Sequence, residues 1–137
     1  LSDINDFNIT SNFKLKEFES PDTHEVKVHP KLLQLLQAIR NKLDSALIIN
    51  SAYRTEEHNR KVGGVDDSQH RKGTAADISF SNLDLDADKL AEVVKNQSEK
   101  LNIGEDNLGI GKYNTFVHVD VRGLIGDEAP ARWDNQN

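Results

Sequence analysis

The chain has 137 residues and carries 17 lysines and arginines against 23 aspartates and glutamates, a net charge of −6. That length makes a single domain around one core the default, and an acidic balance with no basic stripe argues against a nucleic-acid partner, whose grip rests on neutralising phosphates. The absence of cysteine removes disulfide scaffolds, thiol catalysis and cysteine-based zinc fingers together, so any metal site has to be built from His, Asp and Glu.

Residues 1–12 are polar and rich in Asn, Asp and Ser, and read as a tail or a first loop. Phe13, Leu15 and Phe18 follow as anchors onto the body, and Pro21 opens a charged loop that runs to His29. From Pro30 the pattern is helical: Leu32, Leu35, Leu36, Ile39 and Leu43 share one face, and Pro30 suits the first turn, where its missing N–H costs nothing. Leu47–Ser51 is a strand, and the apolar run Ala46–Ile49 within reach of it is too short to span a bilayer. Thr55–Val62 predicts a short helix closed by Gly63 and Gly64, and Ala75–Phe80 a second strand. A second amphipathic helix runs from Asp86 to Leu101 with Leu90, Val93, Val94, Gln97 and Leu101 inward. The spacing of Asp84, Asp86 and Asp88 is that of a calcium loop, but Lys89 and Lys95 stand where its glycine and bidentate Glu belong, so these aspartates read as helix caps. Gly104, Gly109 and Gly111 lack the Lys-Ser/Thr pair of a phosphate loop. Thr115–Val121 alternates cleanly, with Phe116, His118 and Asp120 on one face and Val117, Val119 and Val121 on the other. The sum is an α+β domain: helices packed on a small, mostly antiparallel sheet.

Polar residues interrupt these strands where burial would penalise them. Asp77 sits inside Ala75-Ala76-Asp77-Ile78, where an unpaired carboxylate is costly. Gly73 turns the chain between His70 and Asp77 so that the two side chains can converge, and His118 on a paired strand can join them. Taken singly, each reads as a partly buried histidine or a strand-end acceptor. Taken together, two imidazoles and one carboxylate suit zinc, which in catalytic sites leaves a fourth position to water and polarises a carbonyl.

The segment Ser68-x-His70-x-x-Gly73-x-Ala75-x-Asp77, followed much later by a strand histidine, resembles the zinc D,D-peptidases of the M15 type. These include D-Ala-D-Ala carboxypeptidases, phage L-alanyl-D-glutamate endopeptidases and, more remotely, the hedgehog signalling domain. Ser51-Ala52-Tyr53-Arg54, Asn59-x-x-Val62-Gly63-Gly64, Gly109-Ile110-Gly111-x-Tyr113, Phe116–Asp120 and Ala131-Arg132-Trp133 resemble the carboxypeptidase branch, so the likeness covers roughly residues 13–133. It implies a hedgehog/D,D-peptidase-like fold and a single zinc peptidase domain over 13–137. It also implies one zinc ion on His70, Asp77 and His118 plus a water, and a peptidoglycan stem peptide as substrate. Arg54 would grip a peptide carboxylate or the developing oxyanion, with Ser68 and Tyr113 as further substrate contacts and Tyr53 packed as wall; Ser68 reads equally as a turn cap.

The pattern departs from the family at the general base. One branch has Glu where this chain has Thr115 and Trp where it has Val117; another has His where it has Phe116. Asp120, on the same strand face as His118, is the candidate catalytic base, and its competing role is to accept the other imidazole N–H of a ligand histidine. His58 is a more remote option. The expectation is therefore a monomeric hydrolase of bonds next to D-amino acids, extracytoplasmic and cell-wall facing or a phage-encoded lytic domain. No basic-then-apolar leader opens the chain, so any export signal is expected to have been removed or never to have existed, and a start at Leu1 suggests an excised domain or a processed chain. A hedgehog-like zinc-stabilised binding domain without catalysis is the alternative.

Overall fold

Helical spacing of apolar residues becomes real helix in the computed structural model, which describes residues 4–137; residues 1–3, the start of the polar stretch, lie outside the described residues. Helix α1 (Pro30–Leu43) buries Leu32, Leu35, Leu36 and Ile39, with Pro30 in its first turn and His29 Nδ1 accepting from the backbone N–H of Lys31 as the cap. Strand β1 (Ile48–Ser51) and helix α2 (Glu56–Lys61) follow, then β2 (Ala75–Ser79), α3 (Ala87–Lys100), β3 (Gly109–Lys112), β4 (Phe116–Asp120) and β5 (Ala131–Asp134). Asp86 caps α3 through a bond from the Lys89 N–H at 2.9 Å, as the reading of the aspartate cluster expected. Short 3₁₀ turns cover Leu15–Phe18, Gln69–Lys72, Glu105–Asn107 and Arg122–Ile125. Among the described residues no helix is long and apolar enough to cross a membrane.

The strands form one sheet in the order β1-β2-β4-β3-β5, antiparallel at every pairing except β3 with β5, which is parallel. The α+β class and the mostly antiparallel sheet expected from the sequence are what the chain forms. Strands β3 and β5 were not among the predicted elements. Two of the four residues of β3 are glycines, which carry no strand signal of their own, and β5 is a four-residue edge. Within residues 4–12 the polar stretch docks on α1: Thr10 Oγ1 donates to Gln37 Oε1 at 2.6 Å, and Gln37 Nε2 donates to Asn12 Oδ1 at 2.8 Å. Phe13 and Phe18 are buried edge to face, 6.0 Å between centroids, and Leu15 is half-buried.

Alternation along the strands sorts the side chains. Ile78, Ile110, Val117 and Val119 join the core with α1 and α3. The sheet register aligns Ser51, Asp77, His118, Gly111 and Trp133 as one row across all five strands. The glycines of β3 are required by what overlies them: a Cβ on Gly111 would lie 2.2 Å from the Trp133 ring, and one on Gly109 2.3 Å from Asp120 Oδ2. Gly111→Ala is therefore expected to lower the unfolding free energy by about 1–3 kcal/mol through overpacking, read as a reduced urea midpoint.

Candidate metal centre

His70 stands on the 3₁₀ turn Gln69–Lys72. Ser68 Oγ caps that turn by accepting from the His70 backbone N–H at 3.2 Å, and Gly73, at φ +73°, reverses the chain into β2. A Cβ at Gly73 would also meet the Lys27 backbone at 2.8 Å, so glycine is needed there for both conformation and space. Asp77 and His118 are cross-strand neighbours on β2 and β4. All three side chains are buried, and one ligand atom from each lies within 4.8 Å of the others.

Hydrogen bonds from behind settle which nitrogen of each ring faces inward. His70 Nδ1 is 2.7 Å from the Ala52 carbonyl oxygen, which can only accept, so Nδ1 carries the proton and Nε2 faces Asp77 Oδ1 at 3.3 Å. His118 has a carboxylate at each nitrogen, Asp120 Oδ2 2.7 Å from Nε2 and the same Asp77 oxygen 3.1 Å from Nδ1; the shorter contact favours the proton on Nε2, which turns the Nδ1 lone pair toward Asp77. Three electron-pair donors thus converge with no hydrogen required between them. A proton or a metal cation satisfies that arrangement. Burial disfavours charge on His118, but the carboxylates of Asp120 and Asp77 at its two nitrogens outweigh burial and raise its proton affinity above the ordinary range. Burial likewise opposes ionisation of Asp77, and hydrogen bonds with His118 and His70 overcome it, holding the carboxyl well below its usual range. Two imidazole nitrogens and one carboxylate oxygen on this geometry fit zinc with a position left for a further ligand.

Asp120 does not fit the general-base expectation. It is fully buried, and its Oδ1 accepts from the backbone N–H groups of Gly109 and Arg122, at 3.2 and 3.0 Å, and from Arg122 Nε at 2.9 Å. Its Oδ2 accepts from His118 and from the Arg122 guanidinium at 2.8 Å. Every lone pair is engaged, on the side of His118 away from Asp77. This placement matches the competing role, holding the tautomer of His118. His58 lies outside the cleft lining.

The donor set opens into a cleft of about 460 Å³ lined by Arg54, Ser68, Tyr113, Phe116 and Trp133 among others. Arg54, Ser68 and Tyr113, all expected at the site, are therefore brought to it, while Tyr53, expected as wall, is buried but does not line the cleft. Arg54 Nε donates to Ser51 Oγ at 3.2 Å, and its NH2 stands 3.9 Å from Asp77 Oδ2. Trp133 was not among the expected site residues. Its ring packs 5.1 Å from that of His118, the Arg122 guanidinium lies 5.6 Å over it, and Nε1 donates to Tyr113 Oη at 3.0 Å. Tyr113 in turn stacks on Phe116 at 4.3 Å. The spaced glycines of β3 were the signal that a large side chain crosses that strand.

A family model described as Peptidase M15 matches residues 5–120, and the chain belongs to that family of zinc-dependent metallopeptidases. No curated protein matches the chain.

Trp133 is the single tryptophan of the chain, so its emission reports on the centre directly. Asp120→Asn, which keeps the shape but weakens the grip on His118 Nε2, is expected to lower zinc affinity by about 10- to 100-fold, measured by chelator competition with Trp133 emission as the signal. Unchanged affinity would remove the positioning role.

Proposed function

We propose that this M15 chain hydrolyses peptidoglycan stem-peptide bonds next to D-amino acids, as a D-Ala-D-Ala carboxypeptidase or a related murein endopeptidase, with one zinc ion on His70, Asp77 and His118. The observation that carries the reading is the buried convergence of His70 Nε2, Asp77 Oδ1 and His118 Nδ1 at a cleft that also presents Arg54. Zinc held there supplies Lewis acidity toward a peptide carbonyl and the attacking water.

The chain's own residues do the rest. Arg54, anchored through Nε and NH1, keeps N–H groups to offer a peptide carboxylate or a developing oxyanion. Tyr113 Oη accepts from Trp133, so its own proton is free to be donated to a substrate oxygen. Ser68 holds the turn that presents His70, and Asp120 holds the tautomer of His118. Phe116 and Trp133 give the cleft an apolar wall that displaces water from the bond being cut. On this reading the protein works outside the cytoplasm, facing the cell wall, or as a phage-encoded lytic domain.

A second reading, a zinc-stabilised binding domain of hedgehog-like type, is favoured by one observation: the acids lining the cleft are Asp77 and Asp67, and Asp67 is tied to Lys72 Nζ at 2.8 Å. Incubating the zinc-loaded protein with a defined muropeptide separates the two. Release of D-Ala or of an internally cut fragment, seen by mass spectrometry, is the expected result. His70→Ala and Asp77→Ala should lose zinc and cleavage together. Cleavage by a zinc-free preparation would refute the metallopeptidase assignment, and a bound but intact muropeptide would favour the binding domain.

A further inference from the structure

The residue that fixes Arg54 is Asn59, on α2. Its side chain is buried, at 2 % exposure, and both ends of the amide are used. Nδ2 donates to the Val65 carbonyl at 2.7 Å, and Oδ1 accepts from Arg54 NH1 at 3.2 Å. The amide cannot be flipped, since a flip would set oxygen against the Val65 carbonyl and NH2 against the guanidinium. The Asn59 carbonyl also accepts from the Gly64 N–H at 2.8 Å. A Cβ on Gly64 would lie 2.1 Å from Asn59 Oδ1 and 3.1 Å from Arg54 NH1, so the loop closes onto the amide only because residue 64 has no side chain. Gly63, Gly64 and Val65 line the metal cleft, and Val65 is 72 % exposed beside it. Helix α2 is itself pinned: the Thr55 N–H donates to Ser20 Oγ at 3.1 Å and Thr55 Oγ1 to Asp22 Oδ2 at 2.7 Å.

We propose that Asn59 is a positioning residue that locks Arg54 to the Gly63–Val65 lip, so that the guanidinium is already aimed when an anionic substrate group enters. This rests on the reading of Arg54 as the group that grips that anion. A guanidinium left with only Ser51 and the more distant Asp77 would sample other rotamers and lose part of its binding free energy to ordering. The proposal assigns the carboxylate preference of the cleft to two residues rather than one, and makes the lip part of the same unit.

The test uses zinc-loaded protein and two probes, a stem-peptide analogue ending in D-Ala-D-Ala with a free carboxylate and its C-terminal amide. Binding is followed by Trp133 emission, and cleavage by KM and kcat. The intact protein is expected to prefer the acid, and Arg54→Ala to abolish that preference. Asn59→Ala should weaken acid binding roughly tenfold, the size of one hydrogen bond to a charged group, with the loss read in KM for the acid and amide binding little changed. Asn59→Asp, which sets a carboxylate oxygen against the Val65 carbonyl and a negative charge beside Arg54, should lose acid binding at least as far as Asn59→Ala while amide hydrogen exchange in the 63–65 loop speeds up. Gly64→Ala, whose methyl presses hard on Asn59 Oδ1 and more lightly on Arg54 NH1, should reproduce the Asn59→Ala result and keeps the test open if that variant folds poorly. A preference lost in Arg54→Ala but intact in Asn59→Ala and Gly64→Ala would overturn the positioning role and leave the Arg54 reading standing. No preference in the intact protein would sink the Arg54 reading and the proposal with it.

Discussion

Two ring nitrogens and a carboxylate oxygen are held face to face in a buried place, and the remaining hydrogen-bonding atoms of both rings are committed elsewhere. Isolated from a cation, such an arrangement is repulsive, and the surroundings are built to hold it together regardless. The register of the sheet sets Asp77 beside His118, a capped turn with a reversing glycine swings His70 into place, and the Ala52 carbonyl and Asp120 fix the rings.

Asp120 illustrates how the support is stabilised. An ionised carboxylate with no exposure carries a large desolvation penalty, offset here by five hydrogen bonds, two of them from the Arg122 guanidinium. Arg122 in turn lies over the Trp133 ring, whose indole N–H bonds Tyr113. A change at Trp133 therefore reaches His118 both by direct ring contact and through Arg122 and Asp120. Arg54, on the opposite flank, is tied to Asn59 and the loop beyond it.

Much of this was legible in the amino-acid order. Both long helices announce themselves by apolar residues at helical spacing, and β4 by alternation, because in each case one face meets a core and the other does not. The candidate ligands stood out because Asp77 and His118 interrupt strands that otherwise read as buried, and His70 because it stands in the motif that carries the family resemblance. What stayed hidden depends on pairing rather than on pattern. Alternation placed Asp120 on the face of His118 but could not say which ring nitrogen it would meet, and that choice separates a proton acceptor from a support. Strands β3 and β5 owe their existence to neighbours: one is half glycine to make room for Asp120 and Trp133, the other is held by a single parallel partner. Asn59 looked like one member of a motif, and only the folded loop shows its amide bridging a carbonyl and a guanidinium.

The family match ends at residue 120, the last residue of β4, whereas Arg122 and Trp133 follow it in the chain. The floor of the cleft and one of its flanks are thus encoded on separate stretches, joined by the parallel docking of β5 on β3. Exchanging residues on that flank therefore alters the wall of the cleft and, through Arg122 and Trp133, the setting of His118 at the same time.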